Sequence, residues 1–240
     1  MAPIVLAEVG STNAWLLAHA AGLPDGQWVL ALSQSAGRGR HGRGWTFLPG
    51  NLAASCLVRL GRMEGRAHEL GFVAGLSLFE ASARHAGSAR LMLKWPNDLL
   101  LDGAKMAGIL IEREGGQAVV GFGVNLAEAP RLSGREAAAL RDAMRGPPPA
   151  PAAFLEDLAA AFAAWRARWE AEGFPPVRAA WLERAHPPGT PLEVRPGGTV
   201  VAGRFAGLAA DGALLLETGS GRAQVVRAGD VVARPAATGR

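Results

Sequence analysis

The chain is short of several things, and each shortage excludes something. It has one cysteine, so it carries neither a disulfide framework nor a cysteine-based zinc motif. Cys56 lies inside the apolar run Leu52-Ala-Ala-Ser-Cys-Leu-Val58 and reads as a small buried hydrophobe rather than a nucleophile or metal ligand. No apolar run approaches the roughly 20 residues that a membrane helix needs. Met1-Ala-Pro-Ile-Val5 lacks the basic n-region of a signal peptide, so the expected location is the cytoplasm, with no membrane partner. The net charge is only +4 and the arginines are spread rather than massed in one block, which argues against a nucleic-acid partner. Lysine is the scarcest cation: of 25 basic residues only Lys94 and Lys105 are lysine, and they lie within twelve residues of each other. Where lysine persists against such an arginine background, a compact ammonium is needed in place of a planar fork. Asparagine is equally scarce, occurring only as Asn13, Asn51, Asn97 and Asn125.

What is present suffices for one large domain, or a domain with a small appendage: 240 residues, 49% of them hydrophobic. The organising stretch is Ser33-Gln-Ser-Ala-Gly-Arg-Gly-Arg-His-Gly-Arg-Gly-Trp45, three arginines set among four glycines. Glycines let a ligand approach the main chain, and guanidiniums offer forks for carboxylate or phosphate. A flexible Gly/Arg surface linker has the same composition. The apolar runs Trp28–Leu32 and Leu52–Val58 on either side instead make it a loop between two buried strands, built to close over an anion.

In chain order, Ile4–Ala7 reads as a strand and Ser11 as the N-cap of a helix over Thr12–Ala21, ended by Gly22. That puts Ser11, Thr12 and Asn13 at a helix N-terminus, suited to a carbonyl or urea-like group, although capping alone accounts for Ser11. Leu70, Val73, Leu76, Phe79 and Ala83 recur at helical spacing and predict a core helix over Glu64–His85, with His68 and His85 as unpartnered surface residues. Two apolar runs flank Asp102-Gly103, a hairpin signal, with Pro96 expected at a strand edge or bulge. Lys94, Asn97, Asp98 and Lys105 then face one pocket, unless they are only sheet-edge polar residues. Ala118–Asn125 follows as a central strand whose terminal Asn125 could bond a base, ribose or phosphate. The Arg/Ala/Pro-rich stretch from Pro130 to Pro151 reads as a loop with a short helix. Phe154, Leu158, Phe162, Trp165 and Trp169 mark the packing face of a long helix ending at Gly173, and a second helix covers Val177–Arg184. His186-Pro-Pro-Gly-Thr-Pro191 reads as a linker. Beyond it, Leu192–Val194, Thr199–Phe205, Ala213–Glu217, Gln224–Arg227 and Val231–Ala233 alternate between Gly-Gly, Asp-Gly and Gly-Ser-Gly turns, the pattern of a small five-stranded barrel. The expected domains are therefore 1–186 and 187–240.

Taken together and in order, Ser11-Thr-Asn13, Gln34 with Gly37-Arg-Gly-Arg-His-Gly-Arg43 and Trp45, Lys94-Trp-Pro-Asn-Asp98, Lys105-Met-Ala-Gly-Ile-Leu-Ile-Glu112 and Gly121-Phe-Gly-Val-Asn125 resemble the motifs of the biotin protein ligases. The resemblance covers about the first half of the chain, and the small barrel resembles that family's SH3-like C-terminal domain. It implies an α+β fold: a mixed-sheet catalytic domain related to class II aminoacyl-tRNA synthetases, plus the barrel. The implied activity joins biotin to ATP as biotinyl-5′-AMP and passes the biotinyl group to a lysine of the biotin carboxyl carrier protein of acetyl-CoA carboxylase, with Mg²⁺ accompanying ATP and no metal cage of protein ligands alone. A homodimer is the family precedent. By the same resemblance Ser11, Thr12, Asn13, Gln34, Gly37, Arg38, Gly39, Arg40, Lys105 and Gly108 hold biotin. Arg38, Arg40, Arg43, Trp45, Lys94, Asn97, Lys105 and Asn125 hold ATP or the adenylate, with Trp45 stacking on adenine. Lys105, Arg40 and Asp98 are the catalytic group, Asp98 orienting the incoming amine. The motifs begin at Ser11, so no helix-turn-helix domain and no repressor role are expected, and His41 stands where the family commonly has arginine. Two other readings compete: a lipoate or octanoate ligase or transferase, which shares the fold and one key lysine, and an RNA-binding module, which would leave the paired lysines unexplained.

Overall fold

The computed structural model describes residues 1–131, 136–195, 199–219 and 223–233. Its first unit contains β1 (Ile4–Leu6), α1 (Thr12–His19), β2 (Trp28–Ala31), β3 (Leu52–Arg59), α2 (Leu70–Ala83), β4 (Leu91–Lys94), β5 (Asp98–Leu101), β6 (Ala104–Glu114), β7 (Gln117–Val124), α3 (Pro151–Glu172) and α4 (Phe174–Glu183). The strands form one seven-stranded sheet in the order β1-β2-β3-β7-β6-β5-β4. β1 runs parallel to β2 and the other neighbours are antiparallel, so the sheet is mixed, as expected. Both its faces are covered, which is why β2 and β3 read as unbroken apolar runs. Trp28, Leu30, Ala54, Cys56 and Val58 point into the core beneath α2 and α3, while Val29, Leu57 and Val119 pack under Leu16 and Ala20 on the α1 side.

Several sequence expectations shift. The predicted helix over Glu64–His85 is α-helical only from Leu70; Gly61–Glu69 forms 3-10 turns, since Gly61 takes φ 49° and the buried Glu69 carboxylate is drawn to Trp169 Nε1 (2.5 Å) and Arg66 (2.7 Å). Ala83, assigned to the packing stripe, is exposed. His68 is exposed as predicted, but His85 is not unpartnered: its Nε2 lies 3.2 Å from Asp157 Oδ2 and its ring packs 5.9 Å from Phe154, both on α3. Pro96 sits neither in a strand edge nor a bulge. It occupies the turn that lets Lys94 pair with Asp98 across β4 and β5, after a cis Trp95–Pro96 peptide. Asp102 and Gly103, at φ 47° and 90°, form the expected hairpin turn. α4 begins earlier than predicted, at Phe174, because Pro175 and Pro176 fit a first helical turn. Between residues 136 and 150 the only helical turn described is Leu140–Ala143.

The second unit is a five-stranded antiparallel sheet of β8 (Pro191–Arg195), β9 (Val201–Leu208), β10 (Leu214–Glu217), β11 (Ala223–Val226) and β12 (Asp230–Ala233), in the order β11-β10-β9-β8-β12. β9 starts two residues later than expected and runs three residues further. The Gly-Gly and Gly-Ser-Gly turns fall wholly or partly outside the described residues. On either side of the expected linker the two units pack against each other: Trp95 Nε1 donates to Gly212 O (3.1 Å), Arg178 Nε to Leu208 O (2.9 Å), and one apolar core runs from Phe72 and Trp181 to Leu208 and Leu214.

One ionic cluster fastens the fold away from these features. Arg166 on α3 binds Asp25 through both nitrogens of its fork (2.9 and 2.8 Å), and the Arg59 amide adds a third bond at 2.8 Å. Burial pushes the Asp25 carboxyl up, but Arg166 and the Arg59 and Gly26 amides outweigh it and hold it below its ordinary value. A depressed folded value means the stabilisation is present above the unfolded value and lost as pH falls through the folded one. Asp25→Asn should lower Tm at pH 7 by about 2–4 °C, a contribution of no more than ~1 kcal/mol because the carboxylate is partly exposed. The difference from wild type should begin to shrink as pH falls below about 4, the ordinary aspartate value, and disappear only once pH has passed the lowered folded value. Thermal melts across pH 3–7 check this, and a pH-independent difference would contradict it.

Candidate active site

A cavity of about 620 Å³ lies between the seven-stranded sheet, the glycine loop and β12. It is lined by every sequence-predicted site residue except Gly37. Gly37 sits behind the lining, where the loop crosses itself: its carbonyl accepts from Trp45 N (2.9 Å), and a side chain there would strike the Trp45 carbonyl and the Gln34 amide.

One end of the cavity is neutral and hydrogen-bonding. Ser11 caps α1 through its Oγ, leaving Thr12 and Asn13 in the first turn, both buried. Gln34 Oε1 accepts from Thr12 N and Oγ1 (3.1 and 3.3 Å). Asn13 Nδ2 donates to Glu112 Oε2 (2.8 Å) and Leu110 O (3.2 Å), while Ser55 Oγ lies 2.7 Å from Thr12 Oγ1 and 2.6 Å from Asn13 Oδ1. The strand register explains the space: Ser55 is paired with Gly121 across β3 and β7, and the absent Gly121 side chain is where Asn13 rests. Ser55 and Glu112 were given no role from sequence. The signal for Ser55 was a hydroxyl alone in an apolar run; Glu112 ended a recognised motif.

The floor is a row of glycines. Gly108 and Gly123 pair across β6 and β7, and the Trp45 indole lies on both, so that a Cβ on Gly123 would come within 2.4 Å of a ring atom. The loop holds this arrangement through Gly39 N to Arg43 O (2.6 Å) and a bridge between Arg38 and Gly44. Its arginines reach three walls. Arg38 lies 3.4 Å from Glu112 on β6, Arg40 Nη1 is 3.5 Å from both Asn97 Oδ1 and Gly229 O, and Arg43 pairs with Asp230 at 2.7 Å. Burial pushes the Asp230 carboxyl up, but the Arg43 bond and the charges of Arg43, Arg40 and His41 bring it below the usual range, so it is ionised at neutral pH. Burial lowers Arg40 from its ordinary value, opposed by Asp230 and Asp98 and reinforced by Arg43. Burial also drives the Cys56 thiol far up, in keeping with an inert core residue.

The other end is charged. Asp98, with a side chain only 11% exposed, sits between Lys94 Nζ (3.1 Å) and Lys105 Nζ (2.5 Å). Its Oδ1 meets Lys105 as an ion pair without an in-line hydrogen bond. Lys105 Nζ also lies 5.7 Å from the Trp45 ring centroid, a cation–π contact. Asn125 is at the cavity wall but buried, its Nδ2 bonded to Ala138 O (3.1 Å). Four lining residues come from the second unit, Arg195, Asp230, Val231 and Val232, none of which the sequence reading assigned to the site. Among the described lining residues Arg38, Arg40, Arg43, Lys94, Lys105 and Arg195 outnumber Asp98, Glu136 and Asp230. The cavity thus suits a ligand with an uncharged polar head and an anionic tail.

Comparison with known proteins agrees with this geometry. Residues 6–126 match the model of the Biotin/lipoate A/B protein ligase family, and residues 192–234 match the Biotin protein ligase C terminal domain. The chain is 44% identical to the biotin–[acetyl-CoA-carboxylase] ligase of Paracoccus denitrificans, covering 95% of this chain and 98% of that protein. It is 37% identical to the enzyme of the same name from Mycobacterium tuberculosis, covering 95% and 87%. Among solved structures, biotin protein ligase from Aquifex aeolicus in complex with biotin and ATP superposes with a TM-score of 0.85 at 25% identity, covering 98% of this chain and 99% of that one. Matched over 95% of its length by relatives 44% and 37% identical, and matching both domain models itself, the chain belongs to the biotin protein ligase family.

Proposed function

We propose that this protein is an ATP-dependent biotin–[acetyl-CoA-carboxylase] ligase. The observation that carries the reading is a single cavity joining the neutral corner at Thr12, Asn13 and Gln34 to the cationic end at Lys94 and Lys105. Biotin's ureido ring offers donors and an acceptor to the first, and its carboxylate runs to the second. A carboxylate oxygen attacks the α-phosphorus of ATP, the bond to the β-phosphate bridging oxygen breaks, and pyrophosphate leaves. Both reactants are anions, so Lys105, Arg38 and Arg40 lower the barrier by neutralising charge as it gathers at the α-phosphate, in a site partly shielded from water. Trp45 covers the adenylate. In the second step a neutral amine of the carrier lysine attacks the acyl carbon, AMP leaves and the amide forms; Asp98 orients that amine.

Mg²⁺ accompanies ATP in this reading. Among the described residues no group of three or more His, Cys, Asp and Glu side chains could hold a metal, while single carboxylates such as Asp230 and Glu136 face the cavity. That suits a hydrated ion carried in on phosphates, whose contribution when bound is charge neutralisation. Among the described residues no helix is long and apolar enough to cross a membrane. A cytoplasmic homodimer acting on biotin carboxyl carrier protein completes the proposal, with domains dividing at 186/187.

A lipoate ligase would need the same lysine but has no use for the neutral corner, because a dithiolane ring neither donates nor accepts strong hydrogen bonds. Pyrophosphate release measured with ATP and either acid decides between them: biotin should support turnover and lipoate should not. Turnover with lipoate alone would overturn the assignment.

A further inference from the structure

Asn51 is the one asparagine that the site does not absorb. It is 2% exposed and does not line the cavity, yet its carboxamide is fully engaged. Oδ1 accepts from the amides of Leu126, Ala127 and Glu128 (3.0, 2.9 and 3.2 Å), pinning the turn after β7. Nδ2 donates to Glu128 O (2.7 Å) and faces Asn125 Oδ1 at 3.4 Å. The turn that carries it is fixed in turn, since Gly50 takes φ 81° and a side chain there would collide with Ala127.

The contact with Asn125 does more than fill space. The two ends of a carboxamide are electrostatic opposites, so an N–H directed at Asn125 Oδ1 selects one of its two amide orientations. In that orientation Asn125 Nδ2 reaches Ala138 O (3.1 Å), and Ala138 N in turn donates to Lys105 O (3.0 Å). A line of hydrogen bonds therefore runs from Asn51 through Asn125 to the main chain of Lys105. Asn125 lines the cavity, and beyond its bonds to Asn51 and Ala138 O its carboxamide has capacity for one more donation and one more acceptance, an adjacent donor and acceptor of the kind that reads the N7 and N6 edge of adenine. With the amide flipped, that pairing would be reversed.

We propose that Asn51 is a positioning residue for the nucleotide half of the site, setting the orientation in which Asn125 meets the purine and holding residues 136–138 on Lys105. The inference rests on the proposed nucleotide role of Asn125. Asn51→Asp removes the contact with Asn125 while keeping most of the hold on the turn: the carboxylate still accepts the three turn amides, and the donations to Asn125 and to Glu128 O are lost. In pyrophosphate release with biotin, N51D should raise KM for ATP by about tenfold, the loss of one oriented buried hydrogen bond, and leave the biotin Kd within about twofold. In an Asn125→Ala background the same substitution should add less than about twofold, because the residue it acts through is gone. A merely structural Asn51 would weaken biotin and ATP alike and add its full effect in both backgrounds. Asn51→Ala, run in parallel, should show the same ATP defect with a lower Tm. An ATP KM within about twofold of wild type in both variants, or an undiminished effect in the Asn125→Ala background, overturns the proposal. Wild-type protein that releases no pyrophosphate with biotin would instead overturn the ligase reading itself.

Discussion

Lys105→Ala should slow biotinyl-adenylate formation about 100-fold, a loss of roughly 3 kcal/mol of transition-state stabilisation. Its ammonium stands 2.5 Å from Asp98 and 5.7 Å from the Trp45 ring, so its position is fixed by a carboxylate on one side and an aromatic face on the other. Removing it takes a positive charge from the proposed reacting centre and leaves Asp98 paired only with Lys94, which makes the cavity floor more hostile to an incoming anion. Arginine should not rescue it. The ammonium is so close to Gly108 that a Cβ placed there would come within 3.2 Å of it, and a planar guanidinium would have to displace Trp45. Single-turnover formation of biotinyl-AMP measures the effect without product release; a near wild-type rate for the alanine variant would refute the role assigned to Lys105.

Gly121→Ala should weaken biotin binding about 100-fold or more. The added methyl would overlap the Asn13 carboxamide, and that carboxamide has nowhere to go: Leu110 O, Glu112 and Ser55 hold it. Relief requires either pulling the start of α1 off the sheet or unpairing buried polar groups, at about 1–3 kcal/mol for each group stranded. Gly65 faces open space at an ordinary φ, so Gly65→Ala serves as the control and should bind biotin as wild type does. Calorimetric titration with biotin reads both variants; a Gly121→Ala affinity within about threefold of wild type would mean that Asn13 does not hold the ring.

Local chemistry made much of this site legible. Two turn residues marked the β5–β6 hairpin, glycines interleaved with arginines marked the loop, and the scarcity of lysine pointed at the pair that flanks Asp98. What sequence did not reveal depends on register and on distant partners. Ser55 gains its meaning because β3 and β7 align it with Gly121, a match of strands more than sixty positions apart that no local pattern encodes. Asp230 reaches Arg43 across 187 positions, and His85 finds Asp157 across 72, separations that no local pattern spans. Helix ends were misplaced where tertiary bonds overrode periodicity, as with Glu69 and Trp169 before α2. The barrel strands were found in sequence from their alternation, but not that β12 would close one side of the cavity.

The apolar core that passes without a break from Phe72 and Trp181 into Leu208 and Leu214 makes the two sequence units one thermodynamic body. Cutting the chain before Thr190 would strip the cover from Phe72 and Trp95, so the shortened protein is not a smaller enzyme awaiting its accessory but a damaged one. Melting should then be a single all-or-none event, with any ligand gripped at the head of α1 also protecting β12 by mass action, and scanning calorimetry that resolved two transitions would contradict it. Selection on either half is consequently selection on both: a substitution that loosens the barrel erodes the standing population of competent enzyme even where it touches no substrate.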